Sequence, residues 1–225
     1  MNTGSYTINQ FGEKSIFIEK HEGDIFISDK YSVDAKTAFE DGSFELMMYQ
    51  PSIQPPIKRP EVDRLFEWIS SNTNADNPQR VGVLYGKAGI GKSVVMHDLL
   101  DKLQGMKNWQ VLGLKSDQIE FTDTDDLSKQ LHLAKRLEDV IQSLAESHER
   151  VVLLVDQIDA LSLSLSTNRT PLRSLLKLIQ KVQRIENVRV IISCRPYNLE
   201  YEPTLELLRI RNKWELKEFA PDWFH

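Results

Sequence analysis

The octapeptide Gly86-Lys87-Ala88-Gly89-Ile90-Gly91-Lys92-Ser93 constrains this chain more than any other feature. It has the G-x-x-x-x-G-K-S form of a phosphate-binding P-loop. It stands between an apolar run, Val81 to Tyr85, and a helical pattern from about Lys92 to Gln104 that Gly105 is expected to stop. Glycines let backbone N–H groups converge on phosphate oxygens, and the helix start adds donors and the positive end of its dipole. Lys92 is expected to reach the β- and γ-phosphates, and the Ser93 hydroxyl to ligate Mg²⁺. The plainer reading, a glycine-rich turn, loses its force once a strand precedes the loop and a helix follows it.

Around this loop strand and helix patterns alternate. Trp109 to Leu114 reads as a second strand, and Leu133, Leu137, Val140, Ile141 and Leu144 mark a helix. Val151 to Val155 is an uninterrupted apolar strand, as expected when both faces of a parallel sheet are covered. Thr170-Pro171 opens another helix with proline at its first turn, and Val188 to Ser193 is a fourth strand. A short helix from Pro203 and a strand near Trp214–Phe219 follow. Repeated β-α-β order predicts an α/β fold with a doubly wound parallel sheet. It suits the additional-strand type of P-loop NTPase core, in which a strand lies between the two that carry the nucleotide-binding motifs.

The apolar strand ends in Asp156, placed to hold Mg²⁺ directly or through water, the Walker B role. An acid at the end of an apolar strand is often only the start of a loop, but the P-loop upstream favours the functional reading. Ser193 and Arg195 stand at the tip of the strand expected beside the γ-phosphate, where a polar side chain can sense that group or the attacking water. The competing reading for Arg195 is a surface ion pair.

Charge divides the chain. Residues 1–50 hold 4 Lys/Arg against 9 Asp/Glu, while residues 51–225 hold 24 of each, so the net charge of −5 lies wholly in the first fifty. That segment is expected to be a separate acidic piece. Its triplets Ile16-Phe17-Ile18 and Ile25-Phe26-Ile27 flank a turn-like stretch and read as a β-hairpin, and residues 31–50 show no clean period. Pro51, Pro55, Pro56 and Pro60 form a stiff linker over 51–60, and Val62, Leu65, Phe66 and Ile69 then begin the core, residues 61–225, with an amphipathic helix. A neutral core argues against nucleic acid as partner. No apolar run nears the roughly 20 residues of a membrane span, and no signal peptide opens the chain, so a cytoplasmic location is expected.

Together the P-loop, the run Leu154-Val155-Asp156-Gln157-Ile158-Asp159-Ala160-Leu161 and Ile192-Ser193-Cys194-Arg195-Pro196 resemble the STAND class of signal-transduction NTPases. The resemblance spans roughly residues 51–219 and is nearest to bacterial NACHT-like and AVAST-type ATP-binding proteins, many of them antiphage sensors. It implies a nucleotide-gated switch: ADP holds a closed monomer, and exchange to ATP permits homo-oligomerisation that activates an effector. Carried over by position, Gly86, Gly89, Gly91, Lys92 and Ser93 bind phosphates, Asp156 binds Mg²⁺, Asp159 polarises water, and Arg195 is the sensor arginine. Ile57-Lys58-Arg59-Pro60 lies where such proteins contact adenine, which makes Ile57 and Arg59 candidates there. Two departures follow. Many relatives carry Glu where this chain has Gln157 or Ala160, and an amide positions water without taking its proton, so hydrolysis is expected to be slow unless Asp159 serves. Relatives also continue into a lid, a winged helix and a sensor region beyond the point where this chain ends, so effector and sensor regions are expected to lie outside it.

The remaining signals are weaker. The five histidines, His21, His97, His132, His148 and His225, show no metal-ligand spacing, and the single Cys194 completes no zinc site. Arg169 could act across a subunit interface, although a solvated loop charge is the plainer reading. Besides the switch, two readings stay open: a remodelling or DNA-associated ATPase with continuous turnover, and an inactive nucleotide-binding interaction module.

Overall fold

A computed structural model describes residues 16–21, 24–49, 58–71, 79–163, 170–197, 203–206 and 208–218. Ile57, the prolines at 51, 55 and 56, Arg169 and Phe219 lie outside the described residues. Strands β1 (Ile16–His21) and β2 (Asp24–Asp29) pair antiparallel, as the two apolar triplets predict. Helices α1 (Lys30–Gly42) and α2 (Phe44–Met47) follow, in a stretch that shows no period in sequence.

From α3 (Pro60–Ser70) onward the alternation holds: β3 (Val81–Tyr85), α4 (Lys92–Gln104), β4 (Trp109–Lys115), α5 (Thr124–Gln130), α6 (Leu137–Ser147), β5 (Arg150–Asp156), α7 (Ala160–Leu163), α8 (Thr170–Val182), β6 (Val188–Cys194), α9 (Pro203–Glu206) and β7 (Asn212–Glu215). The five strands form one parallel sheet in the order β4-β5-β6-β3-β7. β6 therefore separates the P-loop strand β3 from β5, which ends in Asp156, the arrangement expected from sequence. Every residue of β5 and β6 is buried.

Alternation of side chains divides the core in two. On one face Val83, Leu112, Leu153, Val190 and Ile192 pack with Phe39 of α1, Ile141 of α6 and Leu175 of α8. On the other, Leu84, Val152, Leu154 and Ile191 pack with Leu46 of α2, Leu65 and Ile69 of α3, and Leu99 of α4. The strands are sandwiched, as a parallel sheet requires.

α1 and α2 lie against the outer strand β4. Ser43, fully buried between them, donates its hydroxyl to Phe39 O at 2.6 Å and accepts the Gly113 N–H at 2.8 Å. It thereby satisfies a backbone donor on the sheet's edge. Gly113 leaves room for this approach, since a Cβ there would stand 2.9 Å from Leu46. The packing of Phe39 and Leu46 places residues 35–49 against the sheet rather than apart from it. Pro60 is the first residue of α3, where its missing N–H costs nothing, and not the end of a linker.

Two further points differ from the sequence reading. Gly105 closes α4 with φ −70, so it is not a left-handed cap; the positive φ nearby belongs to Asn108, at 66. The strand expected near Trp214–Phe219 begins earlier, at Asn212, and ends at Glu215. Among the described residues, no helix is long and apolar enough to cross a membrane.

Candidate functional site

The P-loop leaves the carboxyl end of β3 and enters α4 through two glycines in the left-handed region, Gly89 at φ 74 and Gly91 at φ 99. A side chain at either position would be strained, which is why the loop needs glycine there. Gly86 has another reason: a Cβ on it would stand 2.7 Å from the Leu216 carbonyl. Lys92 is buried and donates to the carbonyls of Gly86 and Lys87, both at 2.8 Å, so its ammonium lies across its own loop. Burial lowers its pKa, and the nearby Asp159 and Asp156 oppose that shift.

A cavity of about 360 Å³ opens over the loop, lined by Ala88, Gly89, Gly91, Lys92 and Ser93 on one side and by Gln157, Asp159 and Arg195 on the other. These two groups, separated by more than sixty residues, meet because β6 pairs with both β3 and β5 and all three strands end here. Lys87 points away and pairs with Glu218 at 3.0 Å.

Asp156 is fully buried and not part of the cavity wall. Its Oδ1 accepts the Ser193 hydroxyl at 2.5 Å, and the same hydroxyl oxygen accepts the Gln157 N–H at 2.8 Å. Ser193 thus ties β6 to the end of β5, and holds Gln157 at the left-handed φ of 55. That conformation costs a non-glycine residue about 1 kcal/mol or more. Asp156 Oδ2 is buried without a hydrogen-bond partner. A buried carboxylate oxygen without a hydrogen-bond partner is a donor suited to a hard cation. With Ser93 in the wall, the residues present fit Mg²⁺, which Ser93 and Asp156 would hold. Among the described residues, no cluster of three or more His, Cys, Asp or Glu forms a self-sufficient metal cage.

Asp159, 5% exposed, pairs through Oδ2 with Arg195 Nε at 3.3 Å, and the arginine remains half exposed. Burial raises the Asp159 pKa, although Arg195 and Lys92 pull it back. Arg59 does not face the cavity. Its guanidinium donates to Ile90 O at 2.8 Å and Lys217 O at 2.9 Å, strapping the P-loop to the chain after β7.

Three cavity residues carry no motif: Tyr49, from the segment after α2, and Lys115 and Asp117, from the end of β4. The Lys115 ammonium is paired with Asp117 at 2.7 and 2.8 Å, and Gln157 Nε2 donates to Asp117 Oδ2 at 3.3 Å. No local pattern in sequence marks Lys115 and Asp117, because they arrive here only through the pairing of β4 with β5.

Comparison with known proteins agrees with this geometry. The NACHT domain family matches residues 80–222, more than half of the chain. No curated protein sequence matches it significantly. Solved structures of similar architecture include the ORC2 protein of Aeropyrum pernix (14% identity, TM-score 0.48, covering 75% of this chain and 49% of that one). Another is a Walker-type ATPase of Pyrococcus abyssi (15%, 0.46, covering 79% and 59%). A third is PCH-2 of C. elegans (18%, 0.45, covering 80% and 47%). The chain spans about half the length of these proteins. Its matched region carries the P-loop, Asp156 and the five-stranded parallel sheet: the chain belongs to the NACHT domain family and is a nucleotide-binding P-loop NTPase domain.

Proposed function

We propose that this domain is a nucleotide-gated switch of the STAND type. It binds ATP and ADP with Mg²⁺, hydrolyses ATP slowly, and signals through homo-oligomerisation in cytoplasmic bacterial antiphage defence. The observation that carries this reading is the pairing of Arg195 with Asp159 inside the nucleotide cavity. Arg195 is a half-exposed cation tied to a carboxylate, beside the lysine expected to hold the terminal phosphates. A γ-phosphate carries more charge than Asp159 and offers bidentate acceptors, so it competes for the guanidinium. ATP and ADP therefore leave Arg195 with different partners, and that difference is the switch.

Each residue has a part in this reading. Gly89, Gly91, Ala88 and the backbone from Gly86 to Ser93 cradle the phosphates. Lys92 exchanges its two loop carbonyls for phosphate oxygens. Ser93 and Asp156 would hold Mg²⁺, which neutralises phosphate charge and polarises the terminal phosphoryl group when bound. Ser193 fixes Asp156 and Gln157. Asp159, with its proton affinity raised by burial, is the residue able to accept a proton from water. Gln157 can only orient that water. A base engaged by Arg195, beside an amide, supports slow turnover. Arg59 keeps the P-loop in place, and adenine contacts are assigned to the adjoining segment, which includes Ile57. Assignment to antiphage defence rests on the resemblance to bacterial NACHT-like sensors.

Arg195→Ala tests the switch. Binding of ADP and of a non-hydrolysable ATP analogue, followed by fluorescence with Mg²⁺ present, should differ clearly in the unsubstituted chain and converge in the variant. An unchanged preference in the variant would remove Arg195 from the sensing role.

A further inference from the structure

Gln157 sits where an acid would activate water, and the structure supplies a carboxylate from elsewhere. Lys115 is the last residue of β4 and stands opposite Asp156 in the sheet register. The Ser116 N–H bonds Asp156 O at 2.9 Å, and the Gln118 N–H bonds Lys115 O at 3.0 Å, so the turn carrying Asp117 is fixed to the end of β5. Lys115, 8% exposed, donates to both oxygens of Asp117, and Asp117 Oδ2 also accepts from Gln157 Nε2 at 3.3 Å. All three residues line the cavity that holds Lys92, Ser93 and Asp159.

The chemistry of this chain of contacts assigns the amide. An ionised carboxylate only accepts hydrogen bonds, so the end of Gln157 that meets it must be the NH₂ group. One N–H of the amide is thereby committed to Asp117, and the acceptor that Gln157 can offer the cavity is its carbonyl oxygen. Its backbone is held independently, by Ser193 on the N–H. The ion pair also leaves Lys115 and Asp117 neutral together, so Asp117 does not repel the phosphates.

We propose that Lys115 and Asp117 are positioning residues for hydrolysis: they orient Gln157 so that its side-chain carbonyl accepts an O–H of the attacking water. This deepens the switch reading and rests on the turnover proposed there. It also explains how a chain with glutamine at this position retains any hydrolysis. Asp159 takes the proton, and Gln157 sets the water's direction.

The test is a kinetic cycle on the full chain with Mg-ATP, using Asp117→Ala, Gln157→Ala and the double variant, with thermal unfolding of each as a control for folding. Misdirecting a water-positioning group should lower kcat roughly 10- to 100-fold. KM should stay the same or fall, because an unpaired Lys115 then faces the triphosphate. Asp117→Asn, which keeps an acceptor oxygen for Gln157, should restore part of the rate. The double variant should lose no more than either single one. A second readout is independent of turnover: the Gln157 side-chain amide, assigned by its loss in Gln157→Ala, should show slowed hydrogen exchange by NMR that Asp117→Ala abolishes. Losses that multiply in the double variant, a kcat unaffected by Asp117→Ala, or an amide exchanging as in free glutamine would each overturn the positioning role alone. Absence of turnover in the unsubstituted chain would refute the hydrolysis reading, and this role with it.

Discussion

Lys92 holds a strongly charge-dependent position in the site, because its ammonium is buried and donates to the carbonyls of Gly86 and Lys87, with Asp159 and Asp156 nearby. Replacing it with alanine removes the cation expected to meet the terminal phosphates. A loss of roughly 100-fold or more in nucleotide affinity is expected for a buried charged contact, measurable by titration with a fluorescent nucleotide. Asp159 gives a prediction with a sign in pH. Its carboxyl has a raised pKa because burial disfavours the charge. The folded state therefore binds this proton more tightly than the unfolded chain. Its contribution to stability is full below the unfolded carboxylate range and is lost as pH rises through the folded pKa. Asp159→Asn should then raise the melting midpoint at neutral pH by a few degrees, about 1 kcal/mol, and flatten the acid side of the stability profile, while slowing hydrolysis. A midpoint lower than that of the unsubstituted chain at neutral pH would contradict this assignment. The residues placed from sequence were those whose neighbours along the chain define them: the P-loop, and Asp156, Ser193 and Arg195 at the ends of apolar strands. Ser193, expected to sense the γ-phosphate or water, is instead buried against Asp156 and does not line the cavity. Tyr49, Lys115 and Asp117 were not readable. They reach the cavity only through the placement of β4 beside β5 and of α2 beside β4, and no local pattern encodes that placement.

Among the elements, α1 and α2 show how a helix escapes periodicity. Among the described side chains of α1, residues 35–42, the buried apolar ones are the small Ala35 and Ala38 beside Phe39, and α2 buries only Leu46. These described residues make no apolar stripe, yet α1 and α2 cover the edge strand β4. Ser43→Ala tests that cover. It would leave the Gly113 N–H buried without an acceptor, at a cost of about 2 kcal/mol, measured by urea unfolding. A second element-scale case is the end of α3. Arg189, 1% exposed, donates to Ser71 O at 3.0 Å, Glu186 O at 2.9 Å and Val188 O at 2.8 Å, joining the C-terminus of α3 to β6. Burial, with Arg150 and Arg80 nearby, lowers its pKa to about 10. Arg189→Ala should destabilise the chain by about 3 kcal/mol, since it strips one buried and two half-buried carbonyls of their donor and leaves a cavity. An unfolding midpoint within error of the unsubstituted chain would show that α3 is held by packing alone. The strands were readable because burial on both faces forces continuous apolar runs. α5, absent from the sequence reading, is capped by Asp123, which accepts the Asp126 N–H at 2.9 Å inside a run of acids.

For the whole molecule, the match to additional-strand P-loop NTPases predicted that β6 would lie between β3 and β5, as it does. Composition was a poorer guide at this scale. The acidic balance of residues 1–50 describes surface charge, whereas Phe39 and Leu46 are part of the two cores. A chain beginning at residue 51 should accordingly expose the outer face of β4 and unfold at lower urea concentration than one beginning at residue 30. Cys194 offers a probe of sheet opening. Fully buried, its thiol is pushed up to about 12, chiefly by desolvation. Labelling by a thiol reagent at pH 8 should therefore track unfolding and not local exposure. The proposed slow, nucleotide-gated switch is tested most directly by Mg-ATP hydrolysis over a wide range of protein concentration, with Lys92→Ala as the blank. Such a switch should turn over above the blank but below about 1 per second, the lower end of ordinary enzyme rates, with specific activity that changes with concentration as subunits assemble. Concentration-independent turnover at tens per second would contradict it and mark a continuously cycling motor.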